Sequence, residues 1–315
     1  MKSNTIYNAL TVDVEDYFHV SAFDNYISPL VWDTMESRVA ANTRHVLELF
    51  SAYDLKATFF ILGWVAQRHP TLVREIADRG HEVACHGMGH QRIHTQTPEQ
   101  FRKDVSESKA LLEDLAGTSV AGYRAPSYSI TNRSLWALDI LIELGFAYDS
   151  SIFPIIHDLY GIPGAYPHPH RIVRTQGSIL EFPLSTFRID LGNRTLALPA
   201  SGGGYLRLFP SRFFTFALSR INIKEKQPGV LYFHPWELDP AQPRIKTGLK
   251  SRFRHYLNLD KTESRLRLLF EELPFAPMQT ALEACLSLPL IHLKNEHTAP
   301  HPYAAVKPKR NSHGI

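Results

Sequence analysis

Residues 57–85 read ATFFILGWVAQRHPTLVREIADRGHEVAC, and the fold class turns on them. Ala57–Leu62 and His81–Cys85 are short apolar runs of the kind that form buried strands. Between them Val73, Ile76 and Ala77 share one face of a helix that begins near Pro70 and ends at a Gly. Strand, helix and strand in so short a span predict two parallel strands joined by a helical crossover.

The same alternation continues in both directions. Further strands are expected at Ala9–Val14, Val120–Tyr123, Phe146–Tyr148, Ser178–Phe182 and Gly229–Phe233. Thr97-Pro98-Glu99-Gln100 supplies an N-cap, a Pro at the first helical position and a capping-box Gln, with Phe101, Val105, Leu112 and Leu115 following at helical spacing. Another helix begins near Thr131 and Asn132, buries Leu135, Leu138 and Ile142, and stops at Gly145. About seven such strands favour an α/β barrel of somewhat fewer than eight units over an open doubly wound sheet. No GxGxxG follows the first strand, which lowers the odds of a dinucleotide fold.

Composition narrows the function classes. The 315 residues can bury a substantial core, and 44% apolar with 21% charged residues is ordinary for a globular chain. A net charge of +3 gives no reason to expect nucleic acid. Two Cys, Cys85 and Cys285, make no disulfide framework. With no secretory signal at the N-terminus and no stretch long enough to span a bilayer, a cytoplasmic location is expected. Residues 295–315, with little to bury, are expected to be a disordered tail.

The polar residues cluster where each strand ends. Asp13-Val-Glu15-Asp16 closes the first, and His86-Gly-Met-Gly-His90 the third. Arg124-Ala-Pro126-Ser follows the fourth, Asp149-Ser-Ser the fifth, and His234-Pro-Trp236-Glu the last. In a parallel barrel these ends open onto one face, the usual place for an active site. Two His at i, i+4 with a nearby carboxylate and open positions suit a hydrolytic divalent cation. Alternation along the first strand puts Asp13 and Glu15 on one side and Asp16 on the other, although the chain is by then leaving the strand. Arg124 is the natural partner of a buried carboxylate. His234, at the end of an apolar run, can donate a proton to a leaving amine, with Asp149 available to orient it. Tyr205 and Arg207, after a triple Gly that lacks the P-loop Lys, are candidates for substrate contact. The basic stretch from Arg244 to Arg254 reads most simply as a solvated face, with a lipid-linked pyrophosphate or an anionic membrane as the alternative.

Taken in order, these motifs resemble the NodB-type polysaccharide deacetylases of carbohydrate esterase family four, most closely the branch found with exosortase-linked exopolysaccharide loci. Ser201-Gly-Gly-Gly-Tyr-Leu-Arg207 and Ser251-Arg-Phe-Arg-His-Tyr256 are similar to further stretches of that branch. The likeness covers roughly Ala9 to Cys285. It implies a distorted (β/α)7 barrel over residues 1–240 with a C-terminal extension at 241–294. It also implies one divalent metal ion of the Zn2+ type, held by an Asp and two His. The substrate would be an N-acetylated polysaccharide or a lipid-linked oligosaccharide, with peripheral membrane association allowed. Carried over residue by residue, His86 and His90 are ligands, Arg124 holds the catalytic carboxylate, His234 is the general acid, and Pro126 and Trp236 line the substrate.

The acidic motif departs from the family's commoner pair of adjacent aspartates. Matching adjacent acids makes Glu15 the base and Asp16 the ligand. Matching a spaced form makes Asp13 the base and puts Glu15 or Asp16 on the metal. The assignment preferred from sequence is Asp13 as base and Asp16 as ligand. Two other functions stay open at this level: an allantoinase-like hydrolase of cyclic amides, and a barrel that binds glycan without turning it over.

Overall fold

Parity along the first strand, β1 (Asn8–Val14), decides which side of the sheet each residue faces. Leu10, Val12 and Val14 point outward into a layer shared with the helices. Ala9 belongs to a second, inner cluster with Phe60, Ala84, Tyr148, Phe182, Val230 and Tyr232. Two separate apolar layers on the two sides of one parallel sheet are what a barrel wrapped in helices requires.

The computed structural model describes residues 5–190, 192, 195–285 and 287–293. Its other strands are β2 (Thr58–Ile61), β3 (Glu82–Cys85), β4 (Gly122–Tyr123), β5 (Tyr148–Asp149), β6 (His170–Arg174), β7 (Gly177–Glu181), β8 (Thr186–Asp190), β9 (Thr195–Pro199), β10 (Val230–Phe233), β11 (Phe275–Ala276) and β12 (Leu290–His292). The helices are α1 (Val39–Ala52), α2 (Gly63–Arg68), α3 (Pro70–Asp78), α4 (Pro98–Ala116), α5 (Trp136–Glu143), α6 (Gly204–Leu208), α7 (Ser211–Arg220), α8 (Leu249–Tyr256), α9 (Thr262–Glu272) and α10 (Met278–Glu283).

The sheet runs β10-β1-β2-β3-β4-β5-β7, parallel throughout, and these are the seven strands expected from the sequence. Between β7 and β10 irregular backbone spans the gap. Leu184 N donates to Ile152 O at 3.0 Å, Val230 N to Ser185 Oγ at 2.7 Å, and Tyr232 N to Ser201 O at 2.7 Å. Gly202 sits at φ +126°, and a Cβ there would lie 1.9 Å from Tyr232 O, so only Gly lets this segment lie against β10. That irregular arc is the distortion in the barrel.

Four features were not anticipated. β6 pairs antiparallel with β7, β8 and β9 form a separate hairpin, and β11 and β12 add to β1 and β6. β6 alternates buried and half-buried residues over only five positions, with Arg at its second and last, so no apolar run marks it. β11 and β12 tie the segment expected as an extension directly into the barrel's own sheet. The expected disordered tail lies outside the described residues. No helix among the described residues is long and apolar enough to cross a membrane.

Candidate active site

The inward parity of β1 continues past Ala9 and Thr11 to Asp13 and Glu15, which therefore rise into the open end of the barrel, each 2% exposed. A buried carboxylate needs a compensating charge, and Asp13 has one. Arg124 Nη1 donates to Asp13 Oδ1 at 2.7 Å and to Thr11 Oγ1 at 2.8 Å. The remaining guanidinium donors go to Ser150, Nε to its carbonyl at 3.1 Å and Nη2 to its hydroxyl at 3.0 Å. Below, the Arg124 carbon lies 4.1 Å from the Phe60 ring centroid. Tyr128 OH donates to the second oxygen, Asp13 Oδ2, at 3.2 Å. Asp13 is thus held by both oxygens, and Tyr128 is a contact the sequence did not single out.

Glu15 meets the two histidines. Its carboxylate and one ring nitrogen each of His86 and His90 lie within 4.8 Å of one another. His86 Nδ1–H donates to Arg124 O at 2.8 Å, which fixes the tautomer and leaves Nε2 free as a ligand atom. Burial pushes the His86 imidazole down to about 4, so it is neutral at pH 7, the ligating form. Gly87, at φ +77°, makes the turn between them, and Asp104 accepts from Met88 N at 2.8 Å and Gly89 N at 3.3 Å. His90 itself sits at φ +51°, a strained conformation for a residue with a Cβ.

The donor set fits a divalent cation. Glu15 Oε2 stands 2.6 Å from His90 Nε2, yet it is a buried oxygen without an aligned hydrogen bond. Two atoms that converge without bonding each other are placed as co-ligands would be. Burial alone would raise the Glu15 carboxyl, but the facing His90 and His234 outweigh it and hold it well below the carboxylate range.

Asp16, expected on the metal, is elsewhere. Its Oδ2 accepts from Ser37 Oγ at 2.8 Å, Arg38 N at 2.8 Å and Val39 N at 3.1 Å, and its Oδ1 from Tyr17 N at 3.0 Å. It caps the start of α1, and with its lone pairs spent on amides it has none aimed at the histidines. Of the three acids Glu15 is the one that meets both histidines, in keeping with strand parity.

His234 follows β10, the strand paired with β1, and its Nε2 lies 3.4 Å from Glu15 Oε1 and 4.0 Å from Asp13 Oδ2. The group that orients it is Glu237, not Asp149. His234 Nδ1 lies 2.7 Å from Glu237 Oε1, which also accepts from His234 N at 3.0 Å. Burial would lower the His234 pKa, but Glu15 and Glu237 raise it to about 9. Glu237 is held down to about 2 against its own burial by Arg207 and His234. Arg207, expected to touch substrate, lines the cavity and places its guanidinium on Glu237 Oε2 at 2.6 Å and on the carbonyls of His255 at 2.6 Å and Leu257 at 3.2 Å. Trp236 stacks on His255, centroids 4.2 Å apart at 12°. The spacing His-x-x-Glu was the available signal for Glu237.

Asp149 belongs to the support beneath Arg124. It accepts from Ser151 Oγ at 2.6 Å, and Ser151 Oγ accepts from Ala125 N at 2.8 Å. Beside it lies Glu181, also fully buried, and burial raises both carboxyls, Glu181 further because of the Asp149 charge. A proton shared between them is the physical consequence. Since the folded value exceeds the ordinary 4.5 of Glu, the stabilising contribution is complete below that pH and is lost as pH rises through the folded value. Glu181→Gln, which cannot ionise, should therefore raise the melting temperature at alkaline pH and change it little in acid. A pH series of thermal melts that moves in parallel for both proteins would refute this.

A cavity of about 540 Å³ opens over these groups, lined by Asp13, Glu15, His86, His90 and His234 together with Tyr128, Tyr160, Tyr205 and Trp236. Tyr160 was not foreseen, and Tyr205 approaches it at 3.4 Å between hydroxyls. Pro126 is buried behind the wall, whereas its neighbours Ser127 and Tyr128 line it.

A family model described as polysaccharide deacetylase matches residues 24–148. A second model, described as a domain of unknown function (DUF3473), matches residues 150–283. His86, His90 and Arg124 lie in the deacetylase match, His234 and Glu237 in the second, and Asp13 and Glu15 precede both. The chain is 34% identical over 107 residues to a peptidoglycan deacetylase of Helicobacter pylori, covering 34% of this chain and 36% of that protein. It is 28% identical over 109 residues to a chitooligosaccharide deacetylase of Rhizobium leguminosarum bv. trifolii, covering 31% and 51%. The chain thus spans only about a third to a half of these relatives' lengths. Among solved structures, a provisionally named polysaccharide deacetylase of Mycobacterium smegmatis superposes with TM-score 0.59 at 20% identity over 90% of this chain and 91% of the other. Puue allantoinase does so at 0.56 and 15% identity over 90% and 91%. The barrel is common to both, so fold alone does not choose between their substrates.

Proposed function

We propose that this protein is a metal-dependent N-deacetylase of an amino-sugar polymer or of its lipid-linked precursor, acting in exopolysaccharide biosynthesis at the cytoplasmic side. The observation that carries the reading is the convergence of Glu15, His86 and His90 with Asp13 and His234 at the floor of one cavity. Glu15, His86 and His90 would hold the cation, for which two imidazoles and a carboxylate favour Zn2+. When bound there it would supply Lewis-acid polarisation of the acetamide carbonyl and a more acidic water.

The remaining work falls to the chain's own groups. Asp13, fixed by Arg124 and Tyr128, accepts the proton of the attacking water. His234, which Glu237 helps to keep protonated, donates from Nε2 to the departing sugar nitrogen as the C–N bond breaks. Acetate and a free amine leave. Tyr160, Tyr205 and Trp236 line the cavity beside these groups, where they would border the sugar.

Acetate release from an N-acetylated oligosaccharide, compared with hydrolysis of allantoin, tests the reading. Activity on the sugar should vanish on chelation and return with a divalent cation; turnover of allantoin alone would replace the proposal. Glu237→Gln should move the alkaline limb of kcat to lower pH, because His234 loses the charge that keeps it protonated. An unmoved limb would remove Glu237 from its orienting role.

A further inference from the structure

Residues 240–259 contain five Lys or Arg and no Asp or Glu. At the centre is α8, which buries only His255 and leaves Leu249 and Phe253, one turn apart, 83% and 58% exposed. Arg244, Lys246, Lys250, Arg252 and Arg254 are all exposed around them. This helix is part of the rim of the catalytic cavity: Lys250, Phe253 and Arg254 line its mouth. On the facing loop Ile156 is 87% exposed, next to His157, which lines the same mouth.

Large apolar side chains standing out singly between cations suit one kind of partner better than others. An acidic protein or an anionic glycan would neutralise the charges but leave Leu249, Phe253 and Ile156 in water. An anionic bilayer answers both, its phosphates meeting the cations while the apolar tips enter the headgroup boundary. We propose that this rim docks the protein on an anionic lipid surface with the cavity mouth towards the membrane. The docking stands independently of the deacetylase reading. Only its consequence rests on that reading: the sugar presented to Asp13 and His234 is one carried on a lipid.

The test uses Lys246→Glu, Leu249→Asp and Arg252→Glu together, none of which lines the catalytic cavity. Wild-type protein should sediment with vesicles of phosphatidylcholine containing phosphatidylglycerol and not with phosphatidylcholine alone. The triple variant should lose partitioning by about tenfold or more, with an unchanged thermal melt and unchanged acetate release from a short soluble oligosaccharide. Equal vesicle binding by variant and wild type would overturn the proposal. So would wild-type protein that ignores anionic vesicles, whether or not it captures dextran sulfate. Vesicle binding that behaves as expected in a protein releasing no acetate from any sugar would leave the docking standing and remove the deacetylase reading.

Discussion

Glu15→Ala is expected to abolish binding of the proposed divalent cation and to lower acetate release by about 10³, the scale of a lost Lewis acid worth several kcal/mol. The expectation follows from the shared approach of Glu15, His86 and His90. The neighbouring Asp16→Ala should behave in the opposite way. Its carboxylate holds Arg38 N, Val39 N and Ser37 Oγ, so its loss should leave metal content unchanged and destabilise the fold by about 1–2 kcal/mol, as loss of a helix cap does. Metal analysis of the two purified variants, with a denaturant melt of each, decides the matter. If Asp16→Ala lost the cation and Glu15→Ala kept it, the ligand assignment would be wrong.

His234→Ala is expected to lower kcat by about 10²–10⁴ with a smaller change in KM, the range for removal of a general acid. His234 lies 4.0 Å from Asp13 and 3.4 Å from Glu15, close enough to share a substrate with both. Because its partners raise its pKa to about 9, it is charged through the neutral range and lies ready to donate. Metal content should be normal, which separates this variant from the ligand variants. Wild-type kcat in His234→Ala would assign protonation of the amine to another group.

Local chemistry in these predictions was readable along the chain wherever a rule operates between neighbours. The capping box at Thr97 and Gln100 forms, with Gln100 N donating to Thr97 Oγ1 and Thr97 N to Gln100 Oε1. The seven apolar runs became the seven parallel strands. Strand parity placed Asp13 and Glu15 on one side of β1 and Asp16 on the other. Within the spaced match, preferring Asp16 over Glu15 for the metal set that parity aside, and Asp16 caps the start of α1 instead.

What sequence alone determined is the alternation that makes a barrel and the set of polar residues at its strand ends, because both depend on contacts between near neighbours in the chain. Tertiary structure decided which acid meets the histidines, that Glu237 rather than Asp149 orients His234, and that Arg207 braces Glu237 from 30 residues away. Those choices depend on where backbones distant in sequence come to lie, and a side chain's nearest charge in space leaves no mark in the spacing of the chain.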